Sequence, residues 1–222
     1  RFYSRKIPDL VAFDQLLDCD IISLHTPLTT DGPFPTRHMF NQQVLEFLKP
    51  NSLLINAGRG AVIDNLALIK RLKQSDGFQA ALDVWEFEPK INTDLLGLVS
   101  IATPHIAGYS DEGKIRGTSM LYDALSQSTM GGELSRPISL SLGEEKEPLD
   151  TAGKTLNQLL LECYKVDTDD QRMRQTLAQG DIGQGFDQLR KRYSQRREYS
   201  YFTYDVDSPI SNQLSVLGFS GV

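Results

Sequence analysis

Histidine, cysteine and long apolar runs are all scarce in this chain. Its two cysteines, Cys19 and Cys163, have neither paired nor CxxC spacing. That excludes a disulfide framework and a thiolate metal site, and makes a reducing cytoplasm the expected compartment. The three histidines, His25, His38 and His105, are too scattered for a metal signature. No window reaches the apolar length of a membrane span, and the opening RFYSRKIPDL lacks the apolar stretch of a secretory signal. A net charge of -6 repels nucleic acid and anionic lipid at long range, so neither is an expected partner. No GxGxxG occurs either: after Gly58 and Gly60, Ile63 stands where the third glycine belongs.

What remains is the composition of an ordinary folded protein, 40% apolar and 23% charged, and 222 residues suffice for one domain and a smaller one. Val11, Leu16 and Leu17 are spaced as on a helix, and Ile21, Ile22 and Leu24 follow as a compact strand. The pattern repeats. Asn41 caps a helix carrying Val44, Leu45 and Leu48, and Leu53 to Ile55 form the next strand. Asp64 caps a helix whose Leu66, Ile69 and Leu72 share a face, Gly77 stops it, and FQAALDV and LVSIATP supply two more strands. Such alternation predicts a parallel sheet covered on both faces, which binds ligands at the carboxyl ends of its strands. A long helix with Ile115, Tyr122 and Leu125 on one stripe follows. Residues 131–149 read as a linker, and 150–222 as a small α+β unit.

Polar residues gather at the four strand ends. Arg59 lies between Gly58 and Gly60, where small neighbours let a ligand approach and a guanidinium can grip a carboxylate in two places. DVWEFEP offers Asp83, Glu86 and Glu88; strand-end carboxylates ordinarily face water, but Glu88 precedes Pro89 and could hold one tautomer of an imidazole. His105, in TPHIAGY, is the natural partner, because oxidation of a hydroxyl needs a group that takes its proton near neutral pH. His25 is expected at most to line the crevice, and His38 to stand at a helix entry.

HTP, NAGRGAVID, LDVWEFEP and TPHIAGY, in this order, resemble the D-isomer-specific 2-hydroxyacid dehydrogenases. The resemblance implies an α/β fold: a partial Rossmann-like parallel sheet over residues 1–130, the 131–149 linker, and an α+β dimerisation domain over 150–222. It implies NAD contacts at Thr26, Ala57, Gly58, Arg59, Asp83 and Gly108, catalytic Arg59, Glu88 and His105, substrate contacts at Tyr109 and Arg59, and no metal. The long loop HTPLTTDGPFPTRHMF, Tyr109 and the carboxyl-terminal FDQLRKRYSQRREY resemble the branch that oxidises 4-phospho-D-erythronate in vitamin B6 biosynthesis as a homodimer.

Members of that family carry the glycine-rich loop and a substrate domain ahead of the region matched here. The expectation is therefore an amino-terminally truncated chain that, alone, neither binds NAD tightly nor turns over substrate. Two alternatives stay open: a remnant acting only through 150–222 as an oligomerisation module, and a dehydrogenase of another 2-hydroxy acid. The run Arg190, Lys191, Arg192, Arg196 and Arg197 reads as a solvated helix face or subunit contact.

Overall fold

The computed structural model describes residues 11–127 and 145–222. In chain order its elements are α1 (Phe13–Leu16), β1 (Ile21–Leu24), α2 (Gln42–Glu46), β2 (Leu53–Asn56), α3 (Asn65–Leu72), β3 (Gln79–Leu82), α4 (Thr93–Leu98), β4 (Ile101–Ala102), α5 (Asp111–Ser126), β5 (Glu147–Pro148), α6 (Leu156–Cys163), α7 (Val166–Leu177), α8 (Ile182–Lys191), β6 (Phe202–Tyr204), α9 (Ser211–Val216) and β7 (Ser220–Gly221). They form two compact units that interleave along the chain. One contains the described residues through Ala107 together with Asp167–Arg192; the other contains those of Gly108–Val166 and Tyr193–Val222. Most of the expected 131–149 linker lies outside the described residues.

In the first unit β1 to β4 make a parallel sheet in sequence order. Leu24, Asn56, Leu82 and Ala102 stand in one row at its carboxyl edge. The helix starts follow local chemistry: the side chain of Asn41 accepts from the Val44 N–H, and that of Asp64 from Leu66 and Ala67. Ile22, Leu24, Leu54, Ala80, Leu82 and Ala102 are buried, whereas their alternates Ile21, Leu53, Ile55, Gln79 and Ala81 are half-buried or exposed. Among the described residues coverage is thus complete on one face and partial on the other, so a period-two pattern lies within the apolar runs. On α3 the core side chains are Ala67, Leu68 and Ile69, and Leu66 is turned out with 64% of its surface exposed.

Met173 and Leu177 of α7 and Phe186 of α8 lie in the same core as the sheet. Asp170 accepts from the Ala102 N–H at 2.7 Å, occupying a donor on the sheet's terminal strand. Arg174 donates to the last carbonyls around α4, Leu96 at 2.5 Å and Val99 at 2.9 Å, while its guanidinium pairs with Asp170. One arginine thereby satisfies groups that the short α4 leaves open. Arg174→Ala is expected to cost about 2 kcal/mol, discounted for partial exposure, and to lower the thermal midpoint by several degrees. A melt within one degree of the parent would show that the clasp carries no stability.

In the second unit β5, β6 and β7 form a parallel sheet whose Phe202 and Tyr204 pack with Leu159, Leu214 and Phe219. No residue of α5 is buried, so the expected stripe is at most half-buried: Leu125 is 49% exposed. Its start is anchored by Glu112, which accepts from Arg197 Nε at 2.7 Å and from the Glu198 N–H at 2.9 Å. Burial opposes the Glu112 anion, but Arg197 and backbone donors outweigh it and hold the carboxyl below its usual range. Because α8 ends at Lys191, the basic run is not one helical face: Arg196 lies over the Tyr164 ring and Arg197 over Tyr201. Among the described residues no helix is long and apolar enough to cross a membrane.

Candidate active site

Each strand of the first unit delivers a short segment beyond the row at its carboxyl edge, and these segments touch. After β1, the Thr26 hydroxyl is buried with no hydrogen-bond partner among the described residues. Gly58 approaches from the turn after β2 so closely that a Cβ there would stand 3.0 Å from the Thr26 carbonyl oxygen and 3.2 Å from the His25 backbone. That turn is tied at its start by Asn56, whose side chain accepts from the Gly58 N–H at 3.1 Å and donates to the Arg59 carbonyl at 3.0 Å. Arg59 itself is exposed, with one guanidinium nitrogen on the Gly58 carbonyl at 2.7 Å. At its far side Gly60 lies flat on the next segment: a Cβ would overlap the Trp85 carbonyl group and stand 2.6 Å from the Glu86 nitrogen.

Asp83 follows β3 and organises the segment after β4. Its carboxylate accepts from the Thr103 hydroxyl and the Ile106 N–H, both at 2.7 Å, and from the Ala107 N–H at 3.0 Å. Its carbonyl accepts from the His105 N–H at 2.7 Å. Held in this way, His105 adopts φ 57°, a left-handed conformation uncommon outside glycine. Its Nδ1 lies 2.7 Å from Glu88 Oε2, while Glu88 Oε1 accepts from the Trp85 N–H at 2.7 Å. Among the described residues nothing engages the other ring nitrogen, Nε2. With its proton on Nδ1, the ring presents Nε2 as a base.

The expectation that strand-end carboxylates face water fails at two positions: Asp83 and Glu86 are 8% and 7% exposed. Local sequence does not show the donors, which arrive from residues 103–107 and from Asn65 and His38. His38 is no helix entry. It has φ 49° and its Nε2 is 2.7 Å from Glu86 Oε1. His25 is exposed and bonded to Ser23. Gly108 and Tyr109 belong to the second unit, where the Tyr109 ring meets Tyr193 edge-on at 5.9 Å and Lys114 lies 5.5 Å from its centre. Burial, then the charges of Glu147 and Glu162, push the Cys163 thiol up to about 11, which leaves it no nucleophile at neutral pH.

Residues 3–107 match the family described as D-isomer specific 2-hydroxyacid dehydrogenase, NAD binding domain. Residues 143–218 match a domain of unknown function, DUF3410. The chain is 39% identical to the erythronate-4-phosphate dehydrogenase of Cellvibrio japonicus, an alignment covering 96% of this chain and 60% of that protein. Identity to the enzyme of the same name is 41% in Saccharophagus degradans (97% and 58% covered) and 43% in Shewanella denitrificans (96% and 58% covered). The chain thus spans less than two thirds of the length of these curated relatives.

Proposed function

We propose, from the match of residues 3–107 to the D-isomer-specific 2-hydroxyacid dehydrogenase family and from the site's geometry, that this chain belongs to that family and carries the acid–base and carboxylate-binding half of an NAD-dependent oxidation of 4-phospho-D-erythronate. The observation that carries this reading is the 2.7 Å contact between Glu88 and His105 Nδ1, which leaves Nε2 to act. Arg59 grips the substrate carboxylate through its guanidinium fork. His105 Nε2 takes the proton of the 2-hydroxyl, and Glu88 keeps the ring's own proton on Nδ1. Removing the hydroxyl proton as the C2 hydride departs yields the 2-oxo acid and avoids a protonated carbonyl.

The residues fit a dinucleotide. The partnerless Thr26 hydroxyl and the glycine that lets the 57–59 turn close on it suit a ligand held against the sheet edge. Thr26, Ala57, Gly58, Arg59 and Asp83 would hold NAD. When bound, NAD supplies the acceptor for the hydride. A cytoplasmic place in pyridoxal 5'-phosphate synthesis and a homodimer formed through residues 150–222 complete the reading; the dimer is supported by the exposed apolar side chains Leu161, Val206, Val216 and Val222.

The test joins residues 1–222 to the part of the Cellvibrio japonicus relative outside the alignment. The resulting chimera, given NAD and 4-phospho-D-erythronate, is expected to produce NADH, read at its near-ultraviolet absorbance. A chimera that melts cooperatively and binds NAD, yet forms no NADH from this acid, would contradict the proposal. Turnover of D-lactate or D-glycerate in preference would move the assignment to another hydroxy acid.

A further inference from the structure

Two residues before Glu88, the same segment carries a second carboxylate–imidazole pair, whose carboxylate is more deeply set than that of the first. Burying a carboxylate is costly unless its lone pairs are met. Glu86 meets that requirement from two other segments: Oε1 lies on His38 Nε2 at 2.7 Å, and Oε2 accepts from the Asn65 N–H at 2.9 Å. The Asn65 side chain answers by accepting from the Glu86 N–H at 3.2 Å and donating to the Ile63 carbonyl at 3.1 Å. His38 also donates its backbone N–H to the Ala61 carbonyl at 2.7 Å. Gly60 and Ala61, directly after Arg59, are therefore enclosed between the Trp85–Glu86 peptide on one side and His38 on the other.

We infer that His38 and Glu86 are positioning residues, a staple that fixes the Arg59 turn and the Glu88 carboxylate relative to one another. Asn56 anchors the turn before Arg59, and the staple anchors it after. Trp85, whose carbonyl supports Gly60, also donates to Glu88 through its N–H, which lies in the preceding peptide. One residue, Trp85, thus serves both the carboxylate grip and the carboxylate that holds His105. The left-handed backbone of His38, an uncommon conformation for histidine, turns its N–H to Ala61 and its ring to Glu86 at once. The inference rests on the proposed reading only for the roles of Arg59 and Glu88; the staple itself is a property of the fold.

The test is hydrogen exchange by mass spectrometry on the 222-residue chain and on the chimera. His38→Asn tolerates the left-handed backbone but is too short to reach Glu86, whereas His38→Gln reaches it. His38→Asn is expected to speed exchange across residues 57–64 and 84–88 by about tenfold or more, leaving 53–56 and 79–82 at parental rates. His38→Gln should restore most of the protection. In the chimera, His38→Asn should raise KM for the hydroxy acid more than it lowers kcat. Parental exchange at 57–64 in His38→Asn, or an equal rise in every peptide of the unit, would overturn the inference. Because exchange is read without substrate, a chimera that never turns over would refute the proposed reaction and leave this test decisive.

Discussion

Replacing His105 with Gln in the chimera is expected to lower kcat by about 10²–10⁴-fold, the usual worth of a positioned acid–base group, while NAD affinity stays within a few-fold of the parent. The separation follows from what the histidine touches. Its ring bonds Glu88 through Nδ1 and its backbone N–H bonds the Asp83 carbonyl. The substitution removes the proposed base and keeps the backbone bond, so the surroundings of Thr26 and Gly58, the proposed cofactor contacts, are preserved. Glutamine could lower activity for another reason, since it must adopt φ 57°. His105→Asn controls for that, because asparagine accepts the left-handed region readily. Both variants should lose turnover alike. Equal loss of NAD binding and turnover would instead show the histidine to be a structural member of the Asp83 turn.

Gly60→Ala should be the most damaging single methyl group in the first unit. The added Cβ overlaps the Trp85 carbonyl group and crowds the Glu86 nitrogen. These are backbone atoms, so no rotamer change relieves the clash. Trp85 is itself fixed, with its indole N–H on the Thr103 carbonyl at 3.0 Å. Overpacking typically costs 1–3 kcal/mol; with a rigid backbone on both sides a loss of about 3 kcal/mol or more is expected. The thermal midpoint should fall by roughly 6 °C or more. Displacement of the Arg59 turn should abolish binding of the hydroxy acid in any fraction that stays folded. Gly97→Ala provides the control. It lies in α4 with nothing within 4 Å of the new Cβ, and should be neutral or stabilising by up to about 1 kcal/mol. If Gly60→Ala melts like the parent, the turn is not packed on Trp85 and Glu86 as described.

What the sequence conveys about this molecule is mostly what is local in it. The strands at 21–24, 53–56 and 79–82 stand where compact apolar runs predict them, and Asn41 and Asp64 cap the helices they precede. A cap and a strand are decided within a few residues. The short α4 and the polar α7 escape such a reading, because neither shows a wide apolar stripe: α4 buries only Leu95 and Leu96, and α7 only Asp169, Met173 and Leu177. Burial of α7 depends on a core contributed from far along the chain.

The site divides in the same way. His105 and Glu88 can be picked out because each is unusual in its immediate setting, and a family resemblance joins them. Glu86 and His38 carry no such mark. They lie 48 positions apart, and only the fold shows that the carboxylate is buried and the imidazole is what meets it. Asp83 is similar: its three donors come from a turn that exists only once β4 is in register beside β3.

The most direct measurement is the position of the ring proton of His105, read from nitrogen-15 shifts of histidine-labelled protein. In the neutral ring the proton is expected on Nδ1, held by Glu88, with Nε2 bare and able to receive the substrate's hydroxyl proton. A neutral ring protonated on Nε2, unchanged by Glu88→Gln, would mean that Glu88 does not set the tautomer and that His105 is not the base.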